Sequence, residues 1–182
     1  MSTAVRMDDP PLKLIHVIQG EFAVADDDDA VLTTVLGSCV AACLRDPVTG
    51  VGGMNHFLLP DSKSNSSDQV IYGAQSMELL INALLRAGAS KERLEAKIFG
   101  GARMVAGLSD IGQNNGEFAR RFLRNEGIKC VGESIGGNKA RRIRFWPRSG
   151  LARQMLLGAA ADVAPVVPPK PKPALGNDVE LF

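Results

Sequence analysis

No apolar run in this sequence reaches the roughly 18 to 20 residues that a helix needs to span a bilayer, which points to a soluble chain without membrane insertion. The basic start and apolar stretch of a secretory signal are missing from the N-terminus. Charge of one sign is missing too. The 21 basic and 20 acidic residues leave a formal charge of +1, so no global field draws the chain to nucleic acid or to an anionic surface. Cysteines are three, Cys39, Cys43 and Cys130; an odd set in a chain without a signal favours reduced thiols and a cytoplasmic setting. With only two histidines in the chain, and Cys39 and Cys43 spaced in a strand-like run, a zinc site is short of ligands. A P-loop, a dinucleotide fingerprint and a G-x-S-x-G elbow are all absent.

What is present is ordinary globular material. With 182 residues, 45% hydrophobic and 23% charged, the chain can bury one sizeable core, and one domain is the expectation. Residues 1–11, with two prolines and a pair of aspartates, read as a flexible leader. "LKLIHVIQGEFAVA" carries one or two short strands around Gly20, and Asp26 to Asp29 form a solvated turn, since four successive carboxylates repel one another and point apart. "VLTTVLGS" is a β-branched strand that stops at Gly37-Ser38. "VAACLRD", "PVTG" and "VGGMNHFLLP" then read as strand, turn and strand, with Pro47 early in the turn and Gly50 at a left-handed exit.

From Asp68 the period changes to that of a helix. Ile71, Met77, Leu80, Ile81, Leu84 and Leu85 recur at three- and four-residue spacings, and Gly88 stops the run. "LEAKIFGG" is the next strand. "NGEFARRFLRNEG" is a second helix capped by Asn115, with Phe118, Phe122 and Leu123 as its apolar stripe and Gly127 closing it. "IKCVGES" and "RRIRFWP" return to strand chemistry around the loop "IGGNKA". Cys43 and Cys130 read as core residues. The basic group Arg141, Arg142 and Arg144 beside Trp146 is either a solvated strand face or a contact for phosphate, a base or an acidic protein. Alternating strands and helices predict an α/β layered domain, and the hairpin rules out a purely parallel sheet. The domain spans residues 12–157. After it, residues 158–182 form a Pro/Ala-rich flexible tail ending in "NDVELF", either a loose end or a short docking peptide on a stiff spacer.

One pair stands out chemically. If the hairpin loop is Asp46 to Thr49, Arg45 faces Gly50, and the same ladder sets Cys39 directly opposite His56 on one face. A thiol with an adjacent imidazole is the arrangement of a nucleophile and its base, with Thr33, Thr34, Ser38 and Asn55 as polar groups able to orient the ring. Gly37-Ser38 before the thiol offers backbone amides for an oxyanion. The same residues also fit a buried cysteine and a satisfied core histidine. His16 is given no role.

The ordered series "LGSCVAACLRDP", "GGMNHFLLPD", "LEAKIFGGARM", "IGQNN" and "GIKCVGESIGGNKARRI" resembles the CheD family of chemoreceptor glutamine deamidases over residues 12–156. The resemblance implies Cys39 as nucleophile, His56 as its partner, and Thr33, six residues before the cysteine, as the third member, with Thr34 as a fallback. It implies hydrolysis of selected glutamines on methyl-accepting chemotaxis receptors through a thioester, with no metal or organic cofactor. A single-domain three-layer α/β sandwich with mixed sheets and two main helices is implied with it, and so is a partnership with a CheC-type phosphatase where one exists. Gly136, Gly137 and Asn138 match the family's Gly-Gly-Asn loop, and Gly100-Gly101 its Gly-Gly step; both are expected to frame the site or to serve as tight turns, and Gly37, Ser38 and Asn55 to frame the substrate. The alternative from a different class is a non-catalytic adaptor that regulates a chemotaxis phosphatase or receptor.

Overall fold

Strands β3 (Ala30–Leu36) and β4 (Val40–Arg45) are separated only by Gly37, Ser38 and Cys39, yet they lie in different sheets. The computed structural model describes residues 12–60, 66–105, 110–158 and 179–182. The leader expected over residues 1–11 and the tail between residues 159 and 178 lie outside the described residues.

The first sheet runs β1-β3-β8-β9-β10, with β1 at Lys13–His16, β8 at Arg141–Phe145, β9 at Ala152–Leu156 and β10 at Val179–Leu181. The second runs β2-β5-β4-β6-β7, with β2 at Phe22–Ala25, β5 at Gly52–Asn55, β6 at Glu95–Gly100 and β7 at Lys129–Ile135. Each sheet carries one parallel pair, β1 with β3 and β6 with β7, so both are mixed. Helices α1 (Ser66–Arg86) and α2 (Ile111–Asn125) cover the outer face of the second sheet. The result is the expected three-layer α/β sandwich with two helices.

The middle layer explains the apolar run in β4. Val40, Ala42 and Leu44 pack toward the helices among Met77, Leu80, Leu84 and Phe118, whereas Ala41 and Cys43 face the first sheet among Leu32, Leu36, Ile143 and Phe145. A strand covered on both faces reads as continuous hydrophobicity rather than alternation. On α1 the stripe is narrower than its spacing predicts: Met77, Leu80, Ile81 and Leu84 are buried, while Ile71 and Leu85 are exposed. Gly88, at φ +104°, ends that helix with the Ala89 amide bonded back to Leu84. No helix among the described residues is long and apolar enough to cross a membrane.

Three expectations are corrected. The hairpin ladder pairs Arg45 with Gly52, Leu44 with Gly53 and Cys43 with Met54, and continues to Val40 with Phe57. Its loop is Pro47–Gly50, closed by the Asp46 amide on the Val51 carbonyl, one residue later than expected. That moves the register by two, so Cys39 falls opposite Leu58 rather than His56. Because side chains alternate with period two, a shift of two keeps both residues on the same face. Second, α2 begins at Ile111, so Asn115 is an interior, buried helical residue and caps nothing. Third, Cys130 is exposed, because β7 is an edge strand that the helices only partly cover.

The hairpin loop is anchored by a carboxylate with no exposed surface. Asp46 accepts from the Arg93 guanidinium through both oxygens and from the amides of Ser90, Val48 and Thr49. The Arg93 guanidinium, followed by these amide bonds, outweighs burial and holds the carboxyl well below the usual aspartate range. A depressed carboxyl contributes stability that is present above the ordinary aspartate value and is lost as pH falls through the folded one. Urea midpoints measured from pH 7 downward should therefore show Asp46→Ala less stable than wild type at neutral pH, with the gap narrowing as acid protonates Asp46. A constant gap across that range would refute the linkage.

Candidate active site

The three residues that carry the chain from one sheet to the other have every carbonyl engaged. The Gly37 carbonyl accepts from the Ala102 amide at 2.9 Å, the Ser38 carbonyl from Asn115 Nδ2 at 2.8 Å and the Cys39 carbonyl from the Gly101 amide at 2.8 Å. A trans peptide points its N–H away from its C=O, so these bonds also direct the Ser38 and Cys39 amides to the opposite side. Gly100 sits against this loop at φ +112°, and a Cβ there would run into the Cys39 carbonyl oxygen. Gly37 likewise has the Met104 side chain close above its Cα.

Asn115 is the residue that sequence reasoning missed most clearly. It has no exposed surface, and besides holding Ser38 it accepts from the Leu59 amide at 3.0 Å, so α2 fastens the cysteine loop to the chain just beyond the histidine. Its place inside "IGQNN" was visible; only the helix start made it look like a cap.

His56 lies beyond the end of β5, held at its backbone by the turn after β1: its carbonyl accepts from Gly20 and its amide donates to Glu21. The ring is buried. Thr34 Oγ1 donates to the Val17 carbonyl at 2.6 Å and stands 2.8 Å from His56 Nδ1. With its only hydrogen spent on Val17, the hydroxyl must accept, so Nδ1 carries the ring proton and Nε2 carries the lone pair. Among the described residues Nε2 has no hydrogen-bond partner although it is buried. Burial lowers the ring's pKa from 6.5, opposed by the Val17 carbonyl, so the imidazole is neutral at pH 7.

Thr33 does not hold the ring. Its hydroxyl donates to the Ile143 carbonyl at 2.8 Å, because successive residues of β3 point to opposite faces and only Thr34 points toward His56.

Cys39 packs its half-buried side chain against the core between the sheets and donates its thiol to Gln19 Oε1 at 3.6 Å. Burial raises its pKa above 9.0, offset in part by its own backbone amide. The resting thiol and imidazole are therefore both neutral. Extended by one residue beyond the Val40–Phe57 bridge, the ladder sets Cys39 and His56 as diagonal neighbours on one face, a relation in which Cα atoms stand about 7–8 Å apart, within reach of long side chains. Gln19 was not anticipated; nothing in "HVIQGEF" marks it beyond its place in a turn.

Asn55 leaves the site. Its side chain bonds the Ala42 amide, the Ser76 carbonyl and Met77 Sδ, on the helix side of the sheet. The glycine loop packs against the Gly100–Arg103 bend: the Gly136 amide donates to the Gly100 carbonyl, the Gly137 carbonyl accepts from the Arg103 amide, and buried Arg141 bonds the carbonyls of Ser134 and Gly136. Asn138 is exposed on the same loop. Ser38, Gly101, Met104, Gln113, Gly136 and Gly137 line a cleft of about 370 Å³ that begins one residue from the thiol. Among the described residues no group of three His, Cys, Asp or Glu side chains is placed to hold a metal ion.

Comparison with known proteins places this arrangement in a lineage. Residues 58–155 match the profile of the family described as "CheD chemotactic sensory transduction". A protein of Caulobacter sp. (strain K31) is 55% identical over all of both chains, and one of Sinorhizobium medicae (strain WSM419) is 58% identical over 93% of this chain and 96% of its own. One of Caulobacter vibrioides (strain NA1000 / CB15N) is 57% identical over 99% of this chain and all of its own. Each of the three bears the name "Probable chemoreceptor glutamine deamidase CheD". On the extent of the profile match and on full-length identities above one half, this chain belongs to the CheD family.

Proposed function

We propose that this chain is a protein-glutamine deamidase that converts selected glutamines of methyl-accepting chemotaxis receptors to glutamate through Cys39 and His56. The observation that carries the reading is the Val17–Thr34–His56 chain of hydrogen bonds, which leaves Nε2 as a buried lone pair on the face that Cys39 shares. The names of the full-length relatives support the substrate class.

In this mechanism His56 Nε2 takes the thiol proton as Cys39 Sγ attacks the carboxamide carbon, and the imidazolium returns that proton to the departing ammonia. Water then hydrolyses the γ-glutamyl thioester with His56 again as base, and glutamate leaves. The Ser38 and Cys39 amides, aimed by the engaged Gly37 and Ser38 carbonyls, stabilise the oxyanion of both tetrahedral steps. Thr34 is a positioning residue that keeps the proton on Nδ1. Gln19, itself a carboxamide on the thiol, yields its place to the substrate.

The direct test incubates a purified receptor cytoplasmic domain with the wild type and with Cys39→Ala. Each modified site should gain about 1 Da with one ammonia, from the wild type only. Binding without any mass change would replace the deamidase with the adaptor reading.

Two further outcomes separate the roles of neighbouring groups. Thr34→Val should lower kcat/KM about tenfold or more and Thr34→Ser should restore it, whereas Thr33→Val should lose about 1 kcal/mol of stability with kcat/KM nearly unchanged. The reverse pattern would return the third position to Thr33. Because burial lowers the His56 pKa, the acid limb of kcat/KM should fall below pH 6.5, and alkylation of the free thiol by iodoacetamide should keep accelerating above pH 9.0 without an acidic plateau. A plateau near neutrality would mean a resting thiolate–imidazolium pair instead.

A further inference from the structure

The chain crosses between the two sheets twice beside the thiol. One crossing is the loop of Gly37, Ser38 and Cys39; the other is the turn at residues 17–21, which leads from β1 in the first sheet to β2 in the second. Gln19 lies in that turn, and its Oε1 receives the Cys39 thiol hydrogen at 3.6 Å. The backbone beneath Gln19 is tied down. The Val17 amide donates to the Thr33 carbonyl at 2.9 Å, the Glu21 amide closes the turn on the Ile18 carbonyl at 3.0 Å, and the Gly20 amide donates to the His56 carbonyl at 2.8 Å. The His56 amide donates back to the Glu21 carbonyl at 3.0 Å. Gly20, at φ +87°, stands where such a turn needs glycine. The side chain above is less constrained: Gln19 is exposed, so its torsions can carry the carboxamide into solvent without moving the turn.

The group on the thiol is a primary carboxamide, the same group that the proposed reaction attacks. Its direction is wrong for attack. A carbonyl that accepts from S–H turns its oxygen to the sulfur and holds its carbon behind, whereas attack needs the sulfur about 3–3.5 Å from the carbon and the oxygen turned to the oxyanion amides. With the turn tied to His56, backbone movement does not bring the Gln19 carbon forward. The thiol hydrogen is meanwhile spent on Gln19, and buried His56 Nε2 is left without a hydrogen-bond partner among the described residues.

We propose that the space filled by the Gln19 side chain is the carboxamide subsite, and that Gln19 is its tethered occupant, an internal pseudosubstrate that an incoming glutamine displaces. The identity of the ligand rests on the deamidase reading; the occupancy rests on the contact between Gln19 and Cys39 alone. A group on so short a tether competes at an effective concentration in the millimolar range, so it lowers the apparent affinity of every glutamine by the same factor. One exposed hydrogen bond supports a factor of about three to ten. The free protein thus keeps its thiol covered and opens the site only to a carboxamide that outcompetes its own.

The test uses the full chain in a Cys130→Ser background, because the exposed Cys130 thiol would also be alkylated. Alkylation of Cys39 by iodoacetamide should run about three to ten times faster in Gln19→Ala than in this parent. Gln19→Glu keeps an acceptor oxygen on the same tether and should react no faster than the parent. With a receptor cytoplasmic domain as substrate, Gln19→Ala should lower KM by the factor by which it speeds alkylation, the effect falling on KM rather than kcat, as for an intramolecular competitor. Peptide masses should show residue 19 of the parent still as glutamine after many turnovers. Equal alkylation of the parent and Gln19→Ala, acceleration in Gln19→Glu, a fall in kcat/KM on removing the side chain, or conversion of residue 19 to glutamate would each overturn the proposal. A parent that leaves the receptor unmodified would instead count against the deamidase reading, and the alkylation rates would still decide whether Gln19 covers the thiol.

Discussion

The candidate site depends on one constraint: three residues must carry the chain from one sheet to another, and they can do so only if each exposed carbonyl finds a donor. The donors come from two places, the Gly100–Ala102 bend for Gly37 and Cys39, and helix α2 through Asn115 for Ser38. An unpaired buried carbonyl would cost about 1–3 kcal/mol, so the crossing is stable only when the bend and the helix are both in place. Gly100 follows from the same demand, because the bend must approach the cysteine backbone more closely than a side chain permits, while Gly101 leaves room for the Gly112 carbonyl at the start of α2. The geometry of the proposed site and fold closure are here a single requirement, and the amides that would meet an oxyanion are aimed as a by-product of satisfying the carbonyls.

The histidine is arranged by a different logic. A neutral ring in a buried position is inexpensive to keep, provided its N–H has an acceptor, and the Thr34 hydroxyl supplies one only because its own hydrogen is committed to Val17. A thiol and an imidazole that are both neutral avoid the desolvation cost of a standing ion pair in the same place. In the proposed mechanism charge develops only when a carboxamide arrives.

The layered architecture was legible from periodicity, since "VAACL", "LEAKIFGG" and the stripe from Met77 to Leu84 each have one plausible use. The shared face of Cys39 and His56 was legible from parity, which survived a register error because the error was even. What escaped the sequence were contacts fixed by neighbours rather than by spacing. Thr33 and Thr34 are chemically identical, and only the face of β3 that meets His56 tells them apart. Asn115 has the residue type of a cap, and only the extra turn from Ile111 shows that it is a bolt. Asn55 stands next to the histidine in the chain but projects to the opposite side of the sheet. Cys130 has core chemistry and an edge position. The final residues read as a loose end or a docking peptide, and nothing in their spacing showed that Val179–Leu181 would add a strand beside β9.

The long-range pairing of β3 has a consequence for how the protein is made. β3 lies between β1, just before it in the chain, and β8, more than a hundred residues later, and Thr33 is bonded directly to the Ile143 carbonyl. Pairings of such high sequence separation are slow to form, and on a ribosome they must wait until both partners have emerged. A nascent chain that already contains Cys39, His56 and Thr34 therefore still lacks one wall of the sheet that orients them. Cys39 and His56 are synthesised early but reach the proposed arrangement only when the last third of the domain arrives, so the proposed thiol–imidazole pair is assembled at the end of folding rather than carried through it.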